Sequence, residues 1–163
     1  MHTQKRDTRH GFTLIELLVV IAIIGILSAT VLVALNTART KGADADIKRS
    51  VAQMKRQVEL YVDANGGNYT NVCRETVANG TKSMYDMGVA LARKYEKSYV
   101  YENATPGSMS AVVCHSDATR WAVQAPLQTL PSGATAHYFC ASSNGVTVTA
   151  TILRLGANDY TCE

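Results

Sequence analysis

From Phe12 to Leu35 the chain runs 24 residues with a single charge, Glu16. A helix crossing a hydrocarbon core needs about 20 apolar residues at 1.5 Å each, and this run meets that length. It is rich in Ile, Val and Leu, which also suit strands, but strands rarely exceed about 10 residues. Past Leu35 the polarity changes without a break. Apolar residues recur at Ala43, Ile47, Val51, Met54, Val58 and Tyr61 or Val62, with Lys, Arg, Asp and Gln between them. Spacings of three and four make one apolar stripe on a helix, and this reading puts Asp44 and Asp46 on the exposed face. Asn65, Gly66 and Gly67 end the pattern, and no proline occurs before Pro106. The prediction is one helix from Phe12 to about Asp63, roughly 75–80 Å long.

After Gly66 the chain is polar, Thr- and Ser-rich, and holds all four cysteines. Ser83 to Lys97 places Met84, Met87, Leu91 and Tyr95 on one face, which predicts a short helix. β-rich runs follow at Tyr99–Ala104, Met109–His115, Arg120–Ala125 and Ala136–Ala141. In Val146–Ile152, Val146, Val148, Ala150 and Ile152 alternate with three threonines, the clearest strand pattern. Ser142-Ser143-Asn144-Gly145 suits the hairpin connection before it. The predicted class is α+β: a long helix with an apolar first half, then a small antiparallel sheet whose apolar face packs on the helix stripe.

Composition sharpens the picture at the N-terminus. Lys5, Arg6 and Arg9 against Asp7 put +2 of the chain's +3 in the first eleven residues. Positive charge beside a spanning segment stays cytoplasmic, so the expected orientation is N-inside, C-outside. A secretory signal has an apolar core of about 7–15 residues closed by a small-residue cleavage site; this run is longer and lacks one. Without those eleven residues, 13 Lys and Arg face 12 Asp and Glu, so binding nucleic acid would require a local basic patch.

Gly11 to Gly25 reads GFTLIELLVVIAIIG behind a basic leader. This resembles the prepilin signature of type IV pilins and of the pseudopilins of type II secretion: a leader ending in glycine, then phenylalanine, then glutamate as fifth residue of the mature chain. The resemblance implies cleavage between Gly11 and Phe12 and N-methylation of Phe12, both by a prepilin peptidase. It divides the chain into a leader (1–11), a membrane and assembly half of the helix (12–35), an amphipathic half (36–65) and a disulfide-bonded α+β head (66–163). The implied partners are the membrane before assembly, an inner-membrane platform with its ATPase, and further copies of the chain in a helical homopolymer. The implied location is a single-pass membrane precursor and then an extracellular filament.

Glu16 is the one residue of the run whose presence costs energy, about 2.5–3.5 kcal/mol for an acid at mid-span and less near an end. It can snorkel to headgroups, or face the amine of Phe12 in its own chain or a neighbour's. Two unit charges 4 Å apart attract by about 4 kcal/mol at an effective dielectric of 20, and the resemblance implies an intersubunit pairing that sets each subunit's stagger. Many pilins place a glycine at the position of Gly25 and a proline eight residues on, where the helix loosens; this chain has Val33 there. Gly25 or Gly42 then supplies either flexibility or room for packing.

Cys73, Cys114, Cys140 and Cys162 form no CxxC pair, so disulfides in an oxidising exterior are favoured over zinc ligation. Three connectivities are possible. The family often staples its C-terminal segment to a strand, and the resemblance thereby implies Cys140–Cys162, with Cys73–Cys114 as the other bridge. His115 and Asp117 beside Cys114 suggest a thiol site less well than they suggest neighbours of a disulfide, and His137 reads as a strand residue. Sequons stand at Asn68, Asn79 and Asn103; a prokaryotic export route makes them chance matches. No metal spacing, catalytic triad, P-loop or dinucleotide fingerprint occurs, so neither cofactor nor enzymatic activity is expected. The reading is a structural pilin subunit. The alternatives are a pseudopilin, whose major type often carries an acidic calcium loop where this chain has cysteines and threonines, and a minor pilin for DNA uptake or adhesion.

Overall fold

The computed structural model describes residues 11–74, 83–145, 147–152 and 155–162. The leader residues 1–10, the sequon at Asn79 and the strand position Val146 lie outside the described residues. Seven elements follow in order: α1 (Leu14–Ala64), α2 (Met84–Lys94), β1 (Ser98–Val100), β2 (Ala111–Ser116), β3 (Trp121–Pro126), β4 (Tyr138–Ser142) and β5 (Thr147–Ala150). The chain falls into two compact units divided after Arg39.

In the first unit α1 opens at Leu14 and continues through Gly25 and Val33 without interruption. Its large apolar side chains from Leu14 to Leu35 are exposed. One hydroxyl in this stretch and one just after it return to the helix backbone, Thr30 to the Leu27 carbonyl at 2.9 Å and Thr37 to the Val33 carbonyl at 3.2 Å. This satisfies them without water, as a lipid-facing helix requires.

In the second unit the remainder of α1 buries Ile47, Val51, Met54 and Val58, the stripe that the spacing marked. α1 stops where Gly66 and Gly67 adopt φ of 65° and 85°, and the Gly67 N–H bonds back to the Val62 carbonyl at 3.0 Å; glycine takes this left-handed backbone at no steric cost. α2 starts in a capping box: Ser83 Oγ accepts the Asp86 N–H while the Asp86 carboxylate accepts the Ser83 N–H.

The five strands form one sheet in sequence order, β1-β2-β3-β4-β5. Three of the four pairings are antiparallel; β1 runs parallel to β2, with Ser98 opposite Ala111. This departs from an all-antiparallel sheet. Residues 101–110 carry the chain from the end of β1 back to its starting edge instead of turning it tightly. The β4–β5 connection is the expected one: the Gly145 N–H bonds to the Ser142 carbonyl at 3.1 Å, with Gly145 at φ 84°.

One face of the sheet, with Val112, Cys114, Trp121, Val123 and Ala125, packs on the α1 stripe and on Met84 and Leu91 of α2. The opposite face is covered as well: Ala111, Val113 and Ala122 pack on Leu155 of the C-terminal segment. β2 and β3 are therefore buried on both faces. Two polar residues on this second face pin what covers them. Gln124 Oε1 accepts the Leu155 N–H at 2.9 Å, and both ring nitrogens of His115 lie against carbonyls, Nδ1 at 2.7 Å from Asp159 and Nε2 at 2.8 Å from Thr105.

Asp44 corrects the sequence reading. It lies on the buried flank of α1 at 7% exposure. Its carboxylate accepts the N–H groups of Gln128 and Thr129 and the Thr129 hydroxyl. A buried carboxylate is tolerated when donors surround it. Asp46, half-buried, accepts from Lys94 of α2 and from Tyr95, which caps that helix. Both acids therefore hold the helix to the rest of its unit. His137 is a second correction, since it stands in the loop just before β4 with Nδ1 at 2.6 Å from the Thr129 carbonyl.

Candidate functional site

Gly11, Phe12 and Thr13 precede α1 and have no helical assignment. The reason is local. Thr13 and Glu16 form a capping box: the Glu16 carboxylate accepts the Thr13 N–H and hydroxyl, each at 2.9 Å, and Thr13 Oγ1 accepts the Glu16 N–H at 3.3 Å. Such a pair satisfies amide groups that a helix start leaves without partners. The Gly11–Phe12 bond is thereby left one residue outside the cap, with both residues exposed and Phe12 at 78%.

Glu16 is thus bound to Thr13 in the chain that retains its leader. Sequence reasoning weighed the headgroups and the Phe12 amine as its partners and missed Thr13, although a Thr-x-x-Glu spacing is the sequence form of the capping box. Among the described residues, α1 is a helix long and apolar enough to cross a membrane. A Cβ placed on Gly25 or Gly42 meets no atom within 4 Å. Among the described residues, packing within one copy of the chain requires neither glycine.

The cysteines lie in the second unit, in two bridges: Cys73–Cys114, spanning 41 residues, and Cys140–Cys162, spanning 22. The first joins the segment after α1 to the core of β2. The second ties the C-terminal segment to β4 next to the sheet face that it covers. His115 and Asp117 do not converge with Cys114 on a site. His115 is fully buried between two carbonyls, and Asp117 pairs with Arg120 at 2.8 Å. Burial raises the Asp117 carboxyl, and donors from Thr119 and Arg120 outweigh it, leaving the group below its ordinary value. Asp159 behaves alike, with Thr161, Gly156 and Tyr160 as donors. Of the sequons, Asn103 uses its side-chain nitrogen to donate to the Ser116 carbonyl at 3.0 Å. Among the described residues no three His, Cys, Asp or Glu side chains group as metal ligands.

A family model described as the prokaryotic N-terminal methylation motif matches residues 6–32. No curated protein and no solved structure matches the chain. The matched residues take in Gly11, Phe12, the Thr13–Glu16 cap and most of the exposed apolar helix. The motif implies processing by a peptidase and assembly into a filament from a membrane-anchored precursor. The long apolar N-terminal helix and the mostly antiparallel sheet form an α+β arrangement like that of type IV pilins, and the chain carries the prepilin signature of the type IV pilins and pseudopilins.

Proposed function

We propose that the chain is a structural pilin, the subunit of a type IV pilus-like extracellular filament. The leader (1–11) is cut between Gly11 and Phe12 and Phe12 is N-methylated; residues 12–35 then pass from the bilayer to the centre of a helical homopolymer. The supporting observation is the exposed apolar run on α1 within the matched motif. Burying each large aliphatic side chain is worth about 1.5–3 kcal/mol. A chain with so many exposed leaves lipid only where other apolar helices replace it. The amphipathic half (36–65) carries the head (66–163), held by Cys73–Cys114 and Cys140–Cys162. The partners are a prepilin peptidase, an inner-membrane platform with its ATPase, and further copies. The chain does no chemistry of its own, and adhesion or capture of other molecules belongs to the assembled fibre.

The test is electron microscopy of material sheared from the cell surface, with mass spectrometry of its N-terminus. Long fibres containing a chain that begins at methylated Phe12 are expected. A cut chain retained in the envelope and absent from fibres replaces this reading with that of a pseudopilin. A chain that keeps its leader as a membrane monomer overturns both.

A further inference from the structure

The surface of α1 opposite the buried stripe is uncovered. Ala45, Arg49, Ala52, Arg56, Glu59 and Asp63 are all exposed along it. Their charges are separated twice. Along the axis the arginines come first and the acids last. Around the axis, at 100° per residue, the arginines lie on one flank and the acids about 50° away on the other. The acids sit at the wrong end of the helix. Asp63 is in the last turn, which contains no basic residue, so it faces the negative end of the helix dipole. Glu59 is one turn before it, a like-charge pair at i,i+4. Arg56, Glu59 and Asp63 join no ion pair among the described residues. Two local rules are broken, and although Lys55 and Arg56 stand one turn before Glu59, no ion pair among the described residues relieves the two acids, the pattern expected where a surface is kept for a partner.

We infer that this face is the contact between successive copies of the chain in the fibre, the arginine flank of one copy meeting the acidic flank of the next; this rests on the filament reading above. A partner of one sign, such as a nucleic acid or an anionic membrane, gains from one flank and is repelled by the other. A parallel copy displaced along the axis gains from both flanks, one against the copy above and one against the copy below. Such a contact is heterologous and does not close, so it propagates. Arg56 and Arg49 precede Asp63 by seven and fourteen residues, so the displacement that pairs them is roughly 10–20 Å. Ala45 before the charges and Ala52 between the two arginines let two helices approach closely.

The test uses two full-length chains, E59K/D63K with both flanks basic and R49E/R56E with both flanks acidic. Expressed alone, each is cut at Gly11–Phe12 but yields fewer fibres by at least about tenfold, since like charges now meet across the contact. Expressed together, they form mixed fibres at roughly wild-type numbers, with both chains in the sheared material; misfolding cannot produce that rescue. Purified in detergent, E59K/D63K melts at or above the wild-type temperature, because the helix end is relieved. The inference is overturned if either chain alone forms wild-type fibres, if co-expression gives none while both cut chains accumulate, or if E59K/D63K melts lower. Absence of fibres from the wild-type control would instead remove the filament reading itself, and this contact with it.

Discussion

The Tyr95 hydroxyl donates to the Asp46 carboxylate at 2.8 Å, and Lys94 Nζ reaches the same oxygen at 2.8 Å. The bond to Lys94 and then that to Tyr95 hold Asp46 below its ordinary value of 3.8. Burial, and then the bond to Asp46, push Tyr95 up to about 12. The two signs bracket a pH window. A depressed carboxyl adds stability that is present above its unfolded value and lost as pH falls through the folded one. A raised phenol adds stability that is complete below 10 and lost as pH rises towards 12. Urea midpoints should therefore be flat between about pH 5 and 9 and fall on both sides. Tyr95→Phe should shrink the alkaline fall without abolishing it, because burial also raises Tyr99 and Tyr138. An unchanged alkaline limb in this variant would show that the contact does not form.

Asp46 ties α1 to the end of α2; Asp44 ties it to the loop after β3 and carries more donors. Asp44→Ala leaves the N–H groups of Gln128 and Thr129 without their acceptor, a loss of about 1.5–3 kcal/mol for bonds to a charged group. Asp44→Asn keeps one acceptor oxygen and should lose about half as much. Amide exchange at Gln128 and Thr129 is the direct readout. It should accelerate in both variants, more in Asp44→Ala, while exchange in β2 and β3 changes only with global stability.

Asp44 also shows where sequence reasoning stopped. It precedes Ile47 by three residues and Val51 by seven, so periodicity alone puts it on the buried stripe. The residue type argued otherwise, because its donors come from residues 84 and 85 positions away. Features fixed by neighbours in sequence were legible: the α1 stripe and its glycine stop, the α2 face, the Ser142–Gly145 turn. The parallel pairing of β1 left no local trace. Burial of β2 and β3 on both faces removed the alternation that would have told their faces apart, and nothing near Leu155 announces that it closes the second one. At the N-terminus the processing motif was fully readable, and the Thr13–Glu16 cap was written in the same residues but went unread.

Gly88 on α2 tests the packing of the short helix. A Cβ there would collide with the Tyr99 ring. That ring cannot yield easily, for its hydroxyl is bound to the Cys73 carbonyl at 2.8 Å and Tyr85 stands edge-on at 5.5 Å. Alanine gains about 1 kcal/mol over glycine in a helix interior, whereas overpacking costs about 1–3 kcal/mol. Gly88→Ala should therefore be destabilising by up to about 2 kcal/mol in denaturant unfolding. Gly42→Ala meets open space and should be neutral or stabilising by up to about 1 kcal/mol. Equal effects at the two sites would contradict the close approach at Tyr99.

Glu16 has two separable properties, its hydrogen-bonding capacity and its charge, and the capping box makes them testable apart. Glutamine serves in a capping box nearly as well as glutamate but offers no charge to the new amine of Phe12. Thr13→Ala removes the cap's hydroxyl and leaves the charge. If the carboxylate acts by attracting an amine in the assembling fibre, Glu16→Gln and Glu16→Leu should both be cut at Gly11–Phe12 and both assemble poorly in the absence of wild-type subunits. Thr13→Ala should then assemble normally. If the helix start is what matters, the order reverses: Glu16→Gln assembles, and Thr13→Ala fails with Glu16→Leu. Counting surface fibres by electron microscopy, with immunoblots for the cut and uncut chain, separates these outcomes. The charge is favoured, because a cap at an exposed helix end is worth only about 1 kcal/mol, too little to decide whether a helix this long forms.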